Sequence, residues 1–338
     1  MPEKNGVDVQ LSRRRVLQAT GAGAVAATAG CMGLFEDEEG VPDYASYVAV
    51  SENDAGNDEV FIAYMDFEAL NELDDEGEDS GEDDDFPEDP MMGYPITGAV
   101  ALLLFAGFTI GTTGLAPLVD DKDDSLDSQV SELLLASPAI AMIGDMETDE
   151  IGEVLTAESE NAFSTTYEEV DEFEGYTIYG SGDESGDATR FAVGGDEIFV
   201  GEQADIEKAI EIAAGDRERA HETFDEVEWL LSEAGRGMMV TGGYSPDGGL
   251  EEAEETSGDG PEYPAIESAQ GGMGSLEFDE DDREVSAEFA LSFDDLGSST
   301  QEELENSLGA DADDSSVDVD DDRVTAEATY SEDALEDN

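Results

Sequence analysis

The sequence predicts an α+β fold: an antiparallel sheet with helices packed on one face, after a cleaved signal peptide and acidic linkers. Three observations predict it. Val285, Ala287, Phe289, Leu291 and Phe293 alternate with mostly polar residues, and Val324, Ala326, Ala328 and Tyr330 repeat the pattern. Such alternation is the signature of a half-buried antiparallel strand. Helical spacing separates these strands, as in Ile206, Ala209, Ile210 and Ala213, and turn residues such as Gly194-Gly195-Asp196 join neighbouring ones.

Element by element, Tyr47-Val48-Ala49-Val50 and 60–65 read as strands around an Asn/Asp/Gly loop, with a short helix at 68–73. Residues 74–90 read as an acidic linker. Residues 91–119 carry no charge, and Leu102-Leu103-Leu104-Phe105 is their most apolar part. A bilayer span needs about 20 such residues, but Gly, Thr and Pro117 dilute this stretch. Two strands cannot stand alone, so those before it are expected to complete the sheet formed by 138–330. A span would put the two parts on opposite sides of a membrane. The preferred reading is a buried or membrane-surface helical segment.

Further on, 126–135 and 148–155 read as helices, and 139–144, 176–179, 190–193 and 198–200 as strands. The helix of 206–213 stops at Gly215. Thr223 and Glu226 fit a capping box for a helix running to Gly235. A strand at 238–242, a Gly/Glu/Pro loop at 244–264 and a helix at 301–308 ended by Gly309 complete the reading. The domain therefore covers 44–330, interrupted by linker 74–90 and segment 91–119, with an acidic tail at 331–338. Strand–strand–helix units on either side of residue 240 leave two similar lobes open as an arrangement.

The 338 residues carry 12 Lys+Arg and 91 Asp+Glu, a formal charge of -79. Nucleic acid and anionic lipid headgroups are thereby excluded as default electrostatic partners, because the chain has no basic surface to offer phosphates. Such charge suggests disorder, yet Val, Ile, Leu and Phe make up 21% of the chain and many segments are crisply patterned. A halophile reconciles the two. Molar salt shortens the Debye length to about 3 Å and screens carboxylates that would otherwise repel, so diffuse cations are expected around the protein.

Position concentrates the bases. Ser12-Arg13-Arg14-Arg15-Val16-Leu17 is followed by an uncharged Gly/Ala-rich run ending Thr28-Ala29-Gly30-Cys31. A basic start, a mildly apolar stretch and small residues before a cut have signal-peptide architecture. Arg13, Arg14 and Leu17 resemble a twin-arginine export signal, and 28–31 resembles a lipobox. Over 12–31 the chain is similar to haloarchaeal twin-arginine lipoproteins. That resemblance implies cleavage after residue 30, a lipid on Cys31, and 31–43 as an acidic tether on the outer face of the cell membrane. Phe173 to Tyr179, then Phe191 to Gly201 and a helix, resemble a family of exported proteins of unknown function over 138–240, which implies no chemistry.

No catalytic set emerges. Cys31 is the single cysteine and His221 the single histidine. An intrachain disulfide and a multi-cysteine metal site are therefore impossible. The Gly21–Ala26 run fits a loose dinucleotide pattern but follows no strand. Asp145 and Glu147, after a strand, read as turn residues. The acidic run from Asp311 to Asp322 resembles a calcium loop superficially, but its sixth position is Ser316 and its twelfth Asp322, so it reads as a solvated hairpin. His221 has no Gly-x-Ser-x-Gly elbow to serve, and Trp229 reads as core. No cofactor, metal or catalytic residue is expected. The leading expectation is a non-catalytic, lipid-anchored cell-surface protein. The membrane is its partner, through Cys31 or also through 91–119. A solute- or metal-binding lipoprotein and a secreted hydrolase are the alternatives.

Overall fold

A computed structural model describes residues 40–52, 56–74, 87, 89–111, 113–119, 125–136, 139–157, 165–181, 188–246, 250, 263–279 and 284–331. Arg13, Arg14, Leu17, Cys31 and most of linker 74–90 lie outside them. The chain begins with a 3-10 turn (Asp43–Tyr47), then β1 (Ser51–Glu52), β2 (Asp58–Asp66), α1 (Phe67–Asp74) and α2 (Pro90–Gly111). Next come β3 (Gln129–Ala136), β4 (Ala139–Asp145), α3 (Thr148–Thr156), β5 (Glu168–Phe173), β6 (Tyr176–Gly180), β7 (Arg190–Gly194) and β8 (Glu197–Gly201). The remainder is α4 (Gln203–Ala213), α5 (Ala220–Thr223), α6 (Asp225–Ala234), β9 (Met239–Tyr244), α7 (Pro264–Glu267), β10 (Gly271–Asp279), β11 (Glu284–Ser292), α8 (Ser298–Ser307), β12 (Asp314–Asp320) and β13 (Arg323–Ser331).

All strands join one antiparallel sheet, ordered β12-β13-β11-β10-β9-β2-β3-β4-β8-β7-β6-β5, with β1 on β2. The α+β expectation is borne out. The sheet's two wings use one device. β4 leaves through α3 to the far edge, and the chain returns through β5, β6 and β7 until β8 pairs with β4. β11 leaves through α8 to the other edge, and β13 returns to pair with it. The early strands do complete the sheet: β2 lies between β3 and β9.

Helices cover both faces of the sheet, not one. The first core gathers Ile96 and Leu102 of α2, Ile151 of α3 and Leu304 of α8 against Leu133, Phe289 and Tyr330. The second gathers Tyr44, Ile206 and Ile210 of α4, and Leu230 and Leu231 of α6 against Ile62, Leu134, Phe199 and Met273. The physical reason lies in the strands. Leu133 and Leu134 are consecutive and both fully buried, so each side of β3 needs a cover. We call the sides the α2 face and the α6 face.

Segment 91–119 folds as α2 and a 3-10 turn (Ala116–Val119). α2 packs on β9, β10 and β2. Met91, Met92, Ile96, Leu102 and Ile110 are buried, while Leu104 and Phe105 are 55% and 61% exposed. The helix is long and apolar, with a mean hydropathy of 1.7. Yet β2 before it and β3 after it are hydrogen-bonded neighbours. Each large apolar side chain it buries stabilises by about 1.5–3 kcal/mol. Gly98 allows close approach: a Cβ there would collide with the Thr241 side chain.

Asp89 fixes the start of α2. It is 2% exposed. Its Oδ1 accepts from Met91 N–H at 3.0 Å and Gly309 N–H at 3.2 Å, and its Oδ2 from Asp311 N–H at 3.2 Å and Tyr330 O–H at 2.8 Å. One carboxylate thus caps a helix and ties it to the turn after α8, where Gly309 has φ +67°.

Four local expectations fail. Residues 47–50 are not a strand: the 3-10 turn ends at Tyr47, and β1 starts at Ser51. Residues 126–135, read as helix, contain β3. β5 and β10 carried no strand expectation. Thr223 and Glu226 form no capping box: Thr223 Oγ1 donates to Arg219 O, Phe224 is the N-cap of α6, and at the start of α5 Glu222 Oε2 accepts from Arg219 N–H at 3.0 Å.

Candidate functional site: an acidic groove on the outer strands

Antiparallel register decides which polar side chains meet. On the α6 face, Glu288 of β11 lies directly opposite Glu327 of β13, and Ser286 opposite Thr329. Ser316 and Asp314 of β12 continue those two rows. Together they line a cavity of about 300 Å³. Asp314, Ser316 and Glu327 are exposed and Glu288 is half-buried, so the groove is shallow. Like charges placed directly opposite on a sheet are destabilising.

That placement sets the chemistry of Glu288. Burial first, then the Glu327 carboxylate, push its carboxyl up to about 7; Arg236 offsets this, while Glu233 and Glu277 add to it. A carboxyl titrating there exchanges a proton near neutrality. Two more acids on the same face share the trend. Glu277 is raised by burial and by Asp66, against a hydrogen bond from Met238 N–H. Glu132 is raised by burial and by Asp66, its cross-strand partner, with the Tyr64 hydroxyl pulling the other way. At the far wing Tyr176 donates to Glu197.

Such a set can hold protons and a loose atmosphere of cations. Among the described residues no group of three His, Cys, Asp or Glu is placed to hold a metal ion.

The residues singled out from sequence do not assemble. Asp145 and Glu147 are exposed, at the end of β4 and the N-cap of α3. The 311–322 run forms β12 and the turn into β13, a solvated hairpin as expected. His221 lies on α5, its Nδ1 buried without a hydrogen-bond partner. Trp229 packs partly buried against the second core, with the Arg323 guanidinium 4.5 Å from its ring centre and bonded to Glu226 at 2.7 Å. Glu288 and Glu327 were missed. Both occupy polar positions of strands that the alternation identifies, but only the register sets them opposite each other.

No family model and no curated protein matches the chain. Among solved structures it is similar to one titled "Structure of crystal form I of TP0453", with 12% identity, 87% of this chain and 95% of that chain covered, and a TM-score of 0.40. A likeness that loose carries no argument about this chain's activity.

Proposed function

We propose that this is a non-catalytic, lipid-anchored protein of the outer cell surface, built for concentrated salt. One observation carries the reading. The single cysteine of the chain, Cys31, ends a Gly/Ala-rich run that follows Arg13-Arg14. Three features support it. The surface is dominated by carboxylates that need screening. The groove at Glu288 is shallow. α2 packs on β9, β10 and β2, which favours a lipid over segment 91–119 as the means of attachment.

Fractionation of wild type and Cys31→Ser, with protease added to intact cells, tests the reading. Wild type should stay with membranes and be digested, and Cys31→Ser should be released. Retention of Cys31→Ser would assign attachment to 91–119 instead. Arg13→Lys with Arg14→Lys should stop export.

The groove favours one rival, an extracytoplasmic binder of cationic solutes, because Glu288, Glu327 and Asp314 share it. Titration calorimetry with small amines at pH 8 separates the readings: saturable binding lost in Glu288→Gln would establish the rival.

A further inference from the structure

With 12 bases against 91 acids, every cation in this chain has carboxylates to choose from. Six Lys and Arg residues are described, Arg190, Lys208, Arg217, Arg219, Arg236 and Arg323, and all six lie on the α6 face. Lys208 Nζ donates to Val50 O and Arg236 to Gly40 O, while Arg217 pairs with Glu211 and Arg323 with Glu226. Arg219 is partly open to solvent. Arg190 is the exception. It is 9% exposed, its Nε is buried with no hydrogen-bond partner, and among the described residues no ion pair reaches it.

Register puts it there. Arg190 opens β7 between two glycines, Gly180 of β6 and Gly201 of β8. It alternates with Ala192, which belongs to the second core, so its side chain rises on the α6 face. The guanidinium lies over Gly180, where a Cβ would collide with Nη1, and Val170 of the edge strand stands on the far side. Gln203, the first residue of α4, crosses from the end of β8 to the edge strand, its Nε2 donating to Asp171 Oδ2 at 3.3 Å.

The acids nearby do not supply the missing partner. Asp171 accepts from Gln203 and from Glu172 N–H. Glu168, opposite Gly180, is exposed. Asp205 stands beside Gly201, and burial raises its carboxyl while Lys208 pulls it down. A guanidinium buried without a partner is costly, and an anion from solution removes that cost. The anion must be small, because solvent reaches only an edge of the group. It must also be monovalent, because Glu168 and Asp171 repel a sulfate or phosphate more strongly than a single charge. A dissociation constant as weak as about 0.1 M keeps such a site almost filled in molar chloride, by mass action.

We propose that Arg190 is a halide site, occupied by chloride held against its guanidinium over Gly180. Occupancy in the cell rests on the concentrated-salt reading given above; the site itself stands on the buried, unpartnered guanidinium and does not involve the lipid anchor.

The test uses the full chain, purified in detergent, with chloride alone as the probe. The chlorine-35 resonance of sodium chloride should broaden on adding the protein, and the excess broadening should fall several-fold in Arg190→Met, which keeps the stem and removes the charge. Circular dichroism checks that this variant is folded. Broadening that is unchanged in folded Arg190→Met overturns the proposal. Crystals of the wild type grown in sodium bromide keep the test open if Arg190→Met fails to fold. An anomalous peak within hydrogen-bond distance of the guanidinium is expected. Finding Glu168 or another carboxylate of the chain bonded to Arg190 there, or no bromide, overturns the proposal. None of these outcomes bears on Cys31, so the anchor reading stands or falls separately.

Discussion

The two faces of the sheet solve the burial problem with different chemistry. The α2 face is an almost unbroken apolar layer of Met91, Ile96, Leu102, Leu133, Phe289 and Tyr330, with Asp89 as a fully bonded polar insert. The α6 face buries as firmly around Ile62, Phe199 and Leu231. Beyond that core it carries Glu132, Glu277 and Glu288, each with a carboxyl raised by burial, and all the described bases. Burying apolar area is insensitive to pH and is only modestly strengthened by molar salt, whereas rows of facing carboxylates depend strongly on both. What one face contributes to stability should therefore hold across pH while what the other contributes changes.

The largest expected effect is at Asp89. Asp89→Ala removes four hydrogen bonds and leaves Tyr330 O–H and three amides unmet. A loss of about 3–5 kcal/mol is expected in denaturant titrations. A loss under 1 kcal/mol would show that water replaces the carboxylate.

Leu102→Ala, which opens a cavity under α2, should cost about 2–5 kcal/mol. The cost should be the same at pH 6 and 8 and rise only modestly from 0.5 M to 3 M salt. A strongly salt-dependent cost would break the contrast between the faces.

Glu288 tests the other face. Its carboxyl titrates near 7 in the folded chain and near its ordinary 4.5 when unfolded, so the folded state holds the proton more tightly. Stability should rise as pH falls from about 7 to about 4.5, and the full destabilisation should persist above 7. Glu288→Gln should therefore stabilise by about 1 kcal/mol at pH 8, after discounting for solvent, and by nothing below pH 4.5. The gain should grow in low salt. Melting curves at pH 4.5, 6 and 8 check the sign, and a gain that is flat across them would refute the assignment.

The smallest effect is at Arg323. Its ion pair with Glu226 is partly exposed and its guanidinium stacks on Trp229. Arg323→Ala should cost about 0.5–1 kcal/mol and change the tryptophan fluorescence. An unaltered spectrum would place the guanidinium elsewhere.

Much of the fold is legible in the sequence because one-sided strands write their geometry as alternation. β11 and β13 announce themselves in this way, and α4 does so by its 3.6-residue spacing. The misreadings have physical causes. In β3, Leu133-Leu134-Leu135 face both cores, so nothing alternates. β5 is an edge strand with residues 168–172 exposed, so Glu-Glu-Val-Asp-Glu shows no apolar face. β10 begins Gly-Gly-Met-Gly because neighbours crowd it: a Cβ at Gly274 would stand 2.5 Å from the Phe289 ring. The acidic groove was illegible for another reason. With 91 acids in the chain, a meaningful carboxylate is invisible until register selects it.

By itself the sequence determined the α+β class, the long uncharged helix and the solvated acidic hairpin, because each is written in neighbouring residues. Tertiary structure alone decided that helices would cover both faces, that Asp89 would bind Tyr330 across 241 positions, and that Glu288 would face Glu327. Those outcomes depend on which distant strands pair and in what register. Pairing is settled by the summed burial of the whole sheet, which no local stretch encodes.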